Sequence, residues 1–266
     1  IEDENDIEDY FRRQQNLYLH LEQTAAEDWV AEDEKHSIVG WARSIERDKH
    51  LQLTHFFVST TAQGRGVGGS LLNLAFPLDR GQQRSIIATT NTKALSLYLR
   101  QDVSFRGMAF SFFAEPQVRA LDSDLEIEQA EASAETLQNI LAIDTEILGY
   151  SRPTDLEFFM SNQPTYLFRR NGDLAAYAFG CDGNSAGPGA ALDAEDVPAL
   201  LHRIEQSACE VKLEALWLTI PTAAKQAVNW ALSSGYQIDP FHEVLLAKNP
   251  TMQFDRYIMT QSAFLW

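Results

Sequence analysis

The chain is short of several things at once, and each shortage removes a class of protein. Only two cysteines occur in 266 residues, Cys181 and Cys209, with neither a CxxC spacing nor a histidine cluster around them. That excludes a disulfide-rich framework; the functional alternatives are a stray disulfide or a metal ligand, and the expectation is two buried thiols in a reducing cytoplasm, with no metal. No apolar run reaches the length of about 18–20 residues that a membrane-spanning helix needs. The opening Ile1-Glu2-Asp3-Glu4 is acidic, unlike a secretory leader. It also lacks a methionine, so we expect the sequence to begin part-way into a fold, with a first strand and helix missing.

Basic residues are scarce as well: 21 Lys and Arg stand against 38 Asp and Glu, a net charge of −17. Binding a polyanion requires clustered cations that release counterions, and no such run exists, which excludes nucleic acid as a partner. The same imbalance attracts a small cationic substrate. What remains is ordinary globular composition, 45% hydrophobic and 22% charged, with length for two modest cores. A monomer or homodimer is expected.

Apolar spacing predicts one or two short helices over Ile7–Gln23, then strands at Trp29–Glu32, Ser37–Ile45 and Leu51–Ser59. These three are close enough in sequence for an antiparallel meander. A helix is expected from Ser70 to Leu78, ended or kinked by Pro77, then a strand at Ser85–Thr89. A helix at Thr92–Arg100 and a strand at Ala109–Ala114 complete the run. A polar stretch with Pro116 occupies Glu115–Asp124, and a strand from Leu125 and a helix over Ala134–Leu148 follow. Thr154 or Asp155 is expected to cap one more short helix.

Beyond that point the first pattern returns. Ile38–Ala42 corresponds to Leu174–Ala178, Leu71-Leu72 to Leu200-Leu201, Ile86–Thr89 to Leu216–Thr219, and Tyr98 to Trp230. The steady offset argues for two copies of one α+β fold, a mostly antiparallel mixed sheet flanked by helices. We therefore expect domains at residues 1–116 and 125–266, joined by a linker at 117–124.

The most informative segment is Gln63-Gly64-Arg65-Gly66-Val67-Gly68-Gly69-Ser70. Glycines free the backbone to take positive φ and to bring several N–H groups onto anionic oxygens at a helix start, where the helix dipole adds attraction. Arg65 and the Gln63 amide supply donors at the rim. A dinucleotide fingerprint is formally present in Gly64-x-Gly66-x-x-Gly69, but it follows a meander and no acidic residue ends a strand about 20 residues on. A Walker loop is excluded because Ser70, not Lys, follows Gly69.

Val58-x-x-x-x-Gln63-Gly64-x-Gly66-x-Gly68, followed by Asn91-x-x-Ala94-x-x-x-Tyr98, resembles motifs A and B of the GNAT superfamily of N-acetyltransferases, over roughly Trp29–Pro116. The resemblance implies acetyl-CoA as co-substrate and an amine acceptor, attacked directly in a cleft between the two domains. It implies that the backbone of Phe57 and Val58 bonds the pantetheine arm and thioester. Gln63 to Ser70 would hold the pyrophosphate, and Asn91 would bond the pantetheine. On physical grounds Tyr98 suits a general acid for the departing thiolate. Where the family has Gly-Phe or Gly-Met after this Tyr, this chain has Asp102-Val103.

The general base stays open. Period-two alternation from Val58 puts Thr54 and Gln52, neither of them basic, where relatives carry a Glu or His. His55 has the opposite parity and reads as a packed strand histidine. Water, Glu32, Glu46 and the Trp266 carboxylate are the remaining alternatives. In the second copy, Leu192, Glu195 and Val197 stand where Gln63, Gly66 and Gly68 do, and Trp230 replaces Tyr98. Side chains there block the nest and carboxylates repel phosphate, so this copy reads as degenerate, with one active site per chain. Tyr150, Arg152 and Asp155 read either as an acceptor contact or as a cap and surface ion pair, and Phe254–Tyr257 has the same standing. A second function class is a non-catalytic acyl-CoA-binding or regulatory module.

Overall fold

The structure, a computed structural model, describes residues 4–182 and 186–260. The chain forms two compact units, residues 1–82 and residues 83–266.

The first unit runs α1 (Glu4–Gln23), β1 (Ala25–Glu32), β2 (Ile38–Arg47), β3 (His50–Val58) and α2 (Val67–Ala75). The three strands form the expected antiparallel meander. Asp33 makes the first turn, its Oδ1 accepting from Lys35 N at 2.8 Å and Ser37 N at 3.0 Å. The second turn is a two-residue hairpin in which Asp48 and Lys49 both take positive φ, 44° and 64°. That primed geometry matches the twist of the flanking strands. The N-terminal segment is one 20-residue helix rather than one or two short ones. α2 begins and ends about three residues earlier than expected, and Pro77 follows its C-cap residue Phe76. It packs on the sheet where Gly40 leaves room: a Cβ there would lie 2.7 Å from Leu71 Cδ1.

One irregularity in β3 changes which side chains share a face. Arg43 pairs with His55 but Ser44 pairs with Leu53, so Thr54 is an extra residue, a β-bulge. Beyond it the alternation inverts, and Gln52 and His50 share the face of His55 and Phe57. The simple parity count from Val58 therefore fails upstream of Thr54.

The second unit contains β4 (Gln83–Thr89), α3 (Thr92–Tyr98), β5 (Ser104–Ala114), β6 (Glu126–Ala130), α4 (Ala134–Leu148) and α5 (Pro153–Asn162). It continues with β7 (Thr165–Arg170), β8 (Asp173–Phe179), β9 (Gly189–Ala191), a 3-10 turn (Ala194–Asp196) and α6 (Val197–Glu210). Then come β10 (Leu216–Pro221), α7 (Lys225–Ser233), β11 (Gln237–Lys248), a second 3-10 turn (Phe254–Arg256) and β12 (Tyr257–Ile258). Within this unit β4, β11, β5 and β10 pair in that order, all antiparallel. A second sheet has the order β12-β9-β8-β7-β6, and a bridge between Thr219 and Met259 links the two.

The repeat is visible in the element order: β7, β8, β9, α6, β10, α7, β11 reproduces β1, β2, β3, α2, β4, α3, β5. Each residue pair matched by sequence falls on matching elements, Tyr98 ending α3 and Trp230 within α7. β5, the last strand of the first pass, lies between β10 and β11 of the second. Strand pairing thus crosses the irregular segment between β5 and β6. The main apolar cluster packs Leu200, Leu201 and Ile204 of α6 against Phe168, Ala176, Leu218 and Phe112 from the strands.

Candidate functional site

The glycine segment leaves β3 through a tight turn in which Ala62 N and Gln63 N both donate to Ser59 O, at 2.9 and 3.1 Å. Gly64 and Gly66 then take left-handed conformations, φ 78° and 86°, which ordinary side chains avoid. Gly66 is the N-cap of α2 and no side chain caps that helix. The first ladder bond runs from Ser70 N to Gly66 O at 3.0 Å. The N–H groups of Val67, Gly68 and Gly69 therefore have no acceptor within the helix. A Cβ built on Gly64, Gly66 or Gly69 meets nothing within 4 Å, so the space in front of these donors is open. Gly69 lies in the helix itself, where it keeps the approach to the amides clear.

Not every donor at the rim behaves as expected. The Gln63 side chain turns back and donates from Nε2 to Val58 O at 3.2 Å, which ties the loop to the end of β3. Arg65 is exposed and, among the described residues, makes no hydrogen bond or ion pair. It is the cation free to meet an anionic ligand at the loop. Phe57 presents its ring to solvent, 57% exposed.

The second half of the motif lies on α3. Asn91 caps this helix, its Oδ1 accepting from Lys93 N at 3.0 Å and Ala94 N at 3.2 Å. That leaves its Nδ2 as the group for a ligand. Ala94 sits on the first turn and Tyr98 closes the helix, 5% exposed. Burial raises the Tyr98 phenol above its usual range, so it is protonated throughout neutral pH. Asp102 takes φ 57° and forms an ion pair with Lys248 at 2.5 Å. An aspartate tolerates the left-handed region, so Asp102 adopts a conformation that suits glycine. Val103 beside it is buried.

The candidate bases fare poorly. Gln52, Thr54 and His55 are all buried. The His55 ring stacks on Trp41 with centroids 4.4 Å apart and lies 5.4 Å from the Tyr18 ring. Burial first, and then the Arg43 guanidinium, lowers His55 to about 3, so at neutral pH it has almost no affinity for a proton. Glu46 is held by Arg80 at 2.7 Å, which also takes Glu27 at 2.9 Å. Glu32 is exposed beside His36, 3.3 Å away. Trp266 lies outside the described residues.

Sequence reasoning missed Glu243 on β11. It stands directly opposite Thr89 of β4 and Ala109 of β5. Burial raises its carboxyl from the usual range to about 7. No motif or spacing marks this residue, because it comes next to the first copy's strands only through the interleaving of β11 with β4 and β5.

The matching helix start in the second copy is closed. Asp193 Oδ1 accepts from Glu195 N at 3.0 Å, and Pro198 removes one amide donor from the first turn of α6. The Asp196 carboxylate sits at the helix N-cap, bonded to Arg170 at 2.7 and 3.1 Å. Arg170 also binds Asp124 at 2.8 and 2.9 Å.

Arg152 proves to be neither a surface cap nor an exposed contact. It is 1% exposed and forms a bidentate pair with the fully buried Asp144, at 2.7 and 2.6 Å, while donating to Tyr257 Oη at 2.8 Å. Tyr177 donates to the same carboxylate. Asp155 is buried inside α5, whose N-cap position is Arg152 with no side-chain cap, so neither Thr154 nor Asp155 caps it. The segment Phe254–Tyr257 supplies a 3-10 turn and, through Tyr257, part of this internal network. Cys181 is buried and Cys209 partly so, and both are free thiols.

Known proteins share several of these features. Residues 2–102 match the model of the acetyltransferase (GNAT) family. N-acetyltransferase 8 of Homo sapiens is 31% identical over 93 residues, covering 32% of this chain and 40% of that protein. The chain thus spans about two fifths of the length of this curated relative. Among solved structures, a provisional acetyltransferase from Pyrococcus horikoshii superposes with a TM-score of 0.71 at 14% identity, over 92% of this chain and 82% of that one. A tandem GNAT protein from the clavulanic acid biosynthesis pathway superposes with a TM-score of 0.51 at 12% identity, over 84% of this chain and 83% of its own. The glycine segment with its uncapped helix lies inside the residues that are similar to the GNAT acetyltransferase family, and the fold over most of the chain is that of these structures.

Proposed function

We propose that the protein is an N-acetyltransferase that moves an acetyl group from acetyl-CoA directly to an amine. The observation that carries this reading is the uncapped start of α2, with two left-handed glycines and open space before three amide donors, within the segment matched to the GNAT family. Backbone N–H groups and a helix dipole suit a pyrophosphate. Residues Gln63 to Ser70 take that role, with Arg65 adding charge at the rim. The backbone of Phe57 and Val58 and the amide of Asn91 take the pantetheine arm.

In this mechanism the amine attacks the thioester carbonyl, polarised by a strand N–H, and the phenol of Tyr98 gives its proton to the departing sulfur. Tyr98→Phe is expected to lower turnover about 100-fold or more while acetyl-CoA affinity stays within a few-fold. Unchanged turnover removes Tyr98 from the mechanism. The second copy, with Asp193 and Asp196 at its helix start, takes no CoA in this reading, so one site per chain is proposed. The net charge of −17 supports a small cationic amine as acceptor and no nucleic-acid partner, and the two free thiols support a cytoplasmic setting.

A second reading is a non-catalytic acyl-CoA-binding module. It draws on the occupied or buried state of Glu46, Gln52, Thr54 and His55. Calorimetry with acetyl-CoA followed by thiol-release assays over an amine panel separates the two. Binding without release on every amine supports the module.

A further inference from the structure

β11 enters the sheet between β4 and β5, antiparallel to both. Its register with β5 jumps from Ile238 opposite Phe112 to His242 opposite Phe110, so Asp239, Pro240 and Phe241 form a wide bulge. The bulge is held by Asp239 Oδ1, which accepts from Phe241 N at 2.7 Å. Proline belongs at such a break because it has no N–H to give the ladder. The break leaves Phe241 and Ile238 exposed, 52% and 46%, and Glu243 is the second residue beyond Phe241.

Glu243 is unusual among the acids of the chain. Its neighbours across both ladders, Thr89 and Ala109, carry no charge. Among the described residues its side chain makes no hydrogen bond and no ion pair, although it is mostly covered. Burial raises its carboxyl to about 7. Its nearest titratable neighbour on β11, His242, alternates to the opposite face, where its ring lies 5.8 Å from that of Phe110. Asp239 is engaged by Phe241 N. A carboxyl kept desolvated without a partner costs stability, and such groups concentrate at sites that use them. Thr89 opposite it is two residues before Asn91, which caps the helix that ends in Tyr98.

We propose that Glu243 is the base that takes the proton from the acceptor amine, at a site where the exposed Phe241, two residues before it on β11, provides an apolar contact for the acceptor's carbon skeleton. This rests on the transferase reading above. The Glu243 carboxylate removes a proton from the ammonium form, which frees the nitrogen lone pair, and the proton later passes to water. The N–C bond forms and the C–S bond breaks. The sulfur takes a proton from Tyr98, which is restored by the second proton leaving the new amide nitrogen. The net products are amide, CoA thiol and one released proton.

The test is the pH dependence of turnover for the wild type and Glu243→Gln on an amine that the wild type accepts. The wild type is expected to show an acidic limb in kcat with a midpoint near 7. At pH 7.5 Glu243→Gln should be slower about 100-fold or more, with acetyl-CoA affinity by calorimetry within two-fold. It should recover as pH rises toward the pKa of the amine, where the substrate already carries a free lone pair. A merely structural role would not produce that recovery. A wild type without the acidic limb, or a variant with wild-type rate and profile, overturns the role of Glu243 and leaves the transferase reading standing. A wild type that binds acetyl-CoA but acetylates no amine overturns both.

Discussion

Gly66→Ala and Gly69→Ala make the same chemical change three residues apart, and the structure predicts effects of opposite sign. Gly66 sits at φ 86°, ψ −9°, with nothing within 4 Å of the point where the alanine methyl would stand, so the penalty is purely conformational. Holding an L-residue in the left-handed region costs about 1–2 kcal/mol, offset by about 0.4–1 kcal/mol from the smaller entropy of the unfolded chain. The net expectation is a loss of about 1 kcal/mol. Gly69 lies in α2 with equally open space, so alanine there gains up to about 1 kcal/mol of helix propensity. Urea denaturation reads both. With slopes of about 1–3 kcal/mol/M or steeper for a chain of this size, the two midpoints should separate by several tenths of a molar in opposite directions from the wild type. Shifts of the same sign, or a Gly66→Ala protein as stable as the wild type, would refute the assigned loop conformation.

Two further perturbations act on buried charge. Asp144→Ala leaves the Arg152 guanidinium buried without its carboxylate and should cost about 3–5 kcal/mol in thermal or urea unfolding, whereas Tyr257→Phe removes one hydrogen bond to that charged group and should cost about 1.5–3 kcal/mol. Equal costs for the two would contradict the network as described. For Glu243 the folded carboxyl titrates near 7 and the unfolded one near 4.5. A raised folded pKa contributes stability below pH 4.5 that is lost as pH rises to about 7. At about 1.4 kcal/mol for each pH unit across that window, the wild type should lose roughly 3 kcal/mol relative to Glu243→Gln. Parallel stability curves for the two proteins from pH 4.5 to 8 would rule this out.

Local chemistry makes much of the fold legible. The strands of the meander, the helix over Ala134–Leu148 and the break after the residues preceding Pro77 all follow from side-chain periodicity and from proline. The repeat is visible because each copy needs the same apolar positions to bury the same faces. Parity in β3 misleads because a single extra residue, Thr54, inverts the alternation, and nothing in LQLTHFFVS marks which residue bulges. Arg152 reads as a surface group in the sequence because its acid, Asp144, and its phenols, Tyr177 and Tyr257, come from distant segments that only the fold brings together. Glu243 escapes for the same reason: its neighbours Thr89 and Ala109 are more than a hundred residues away in sequence. In the glycine segment the local reading reaches furthest, since left-handed φ, an uncapped helix and open space are properties of the loop itself.

The most direct test of the central claim, that this loop receives the pyrophosphate of a CoA thioester, is calorimetric titration of the protein with acetyl-CoA and with acetyl-pantetheine, which lacks the pyrophosphate. One acetyl-CoA should bind per chain, with at least a 100-fold weaker interaction with acetyl-pantetheine. Equal affinity for the two, two sites per chain, or no binding of acetyl-CoA would contradict that claim.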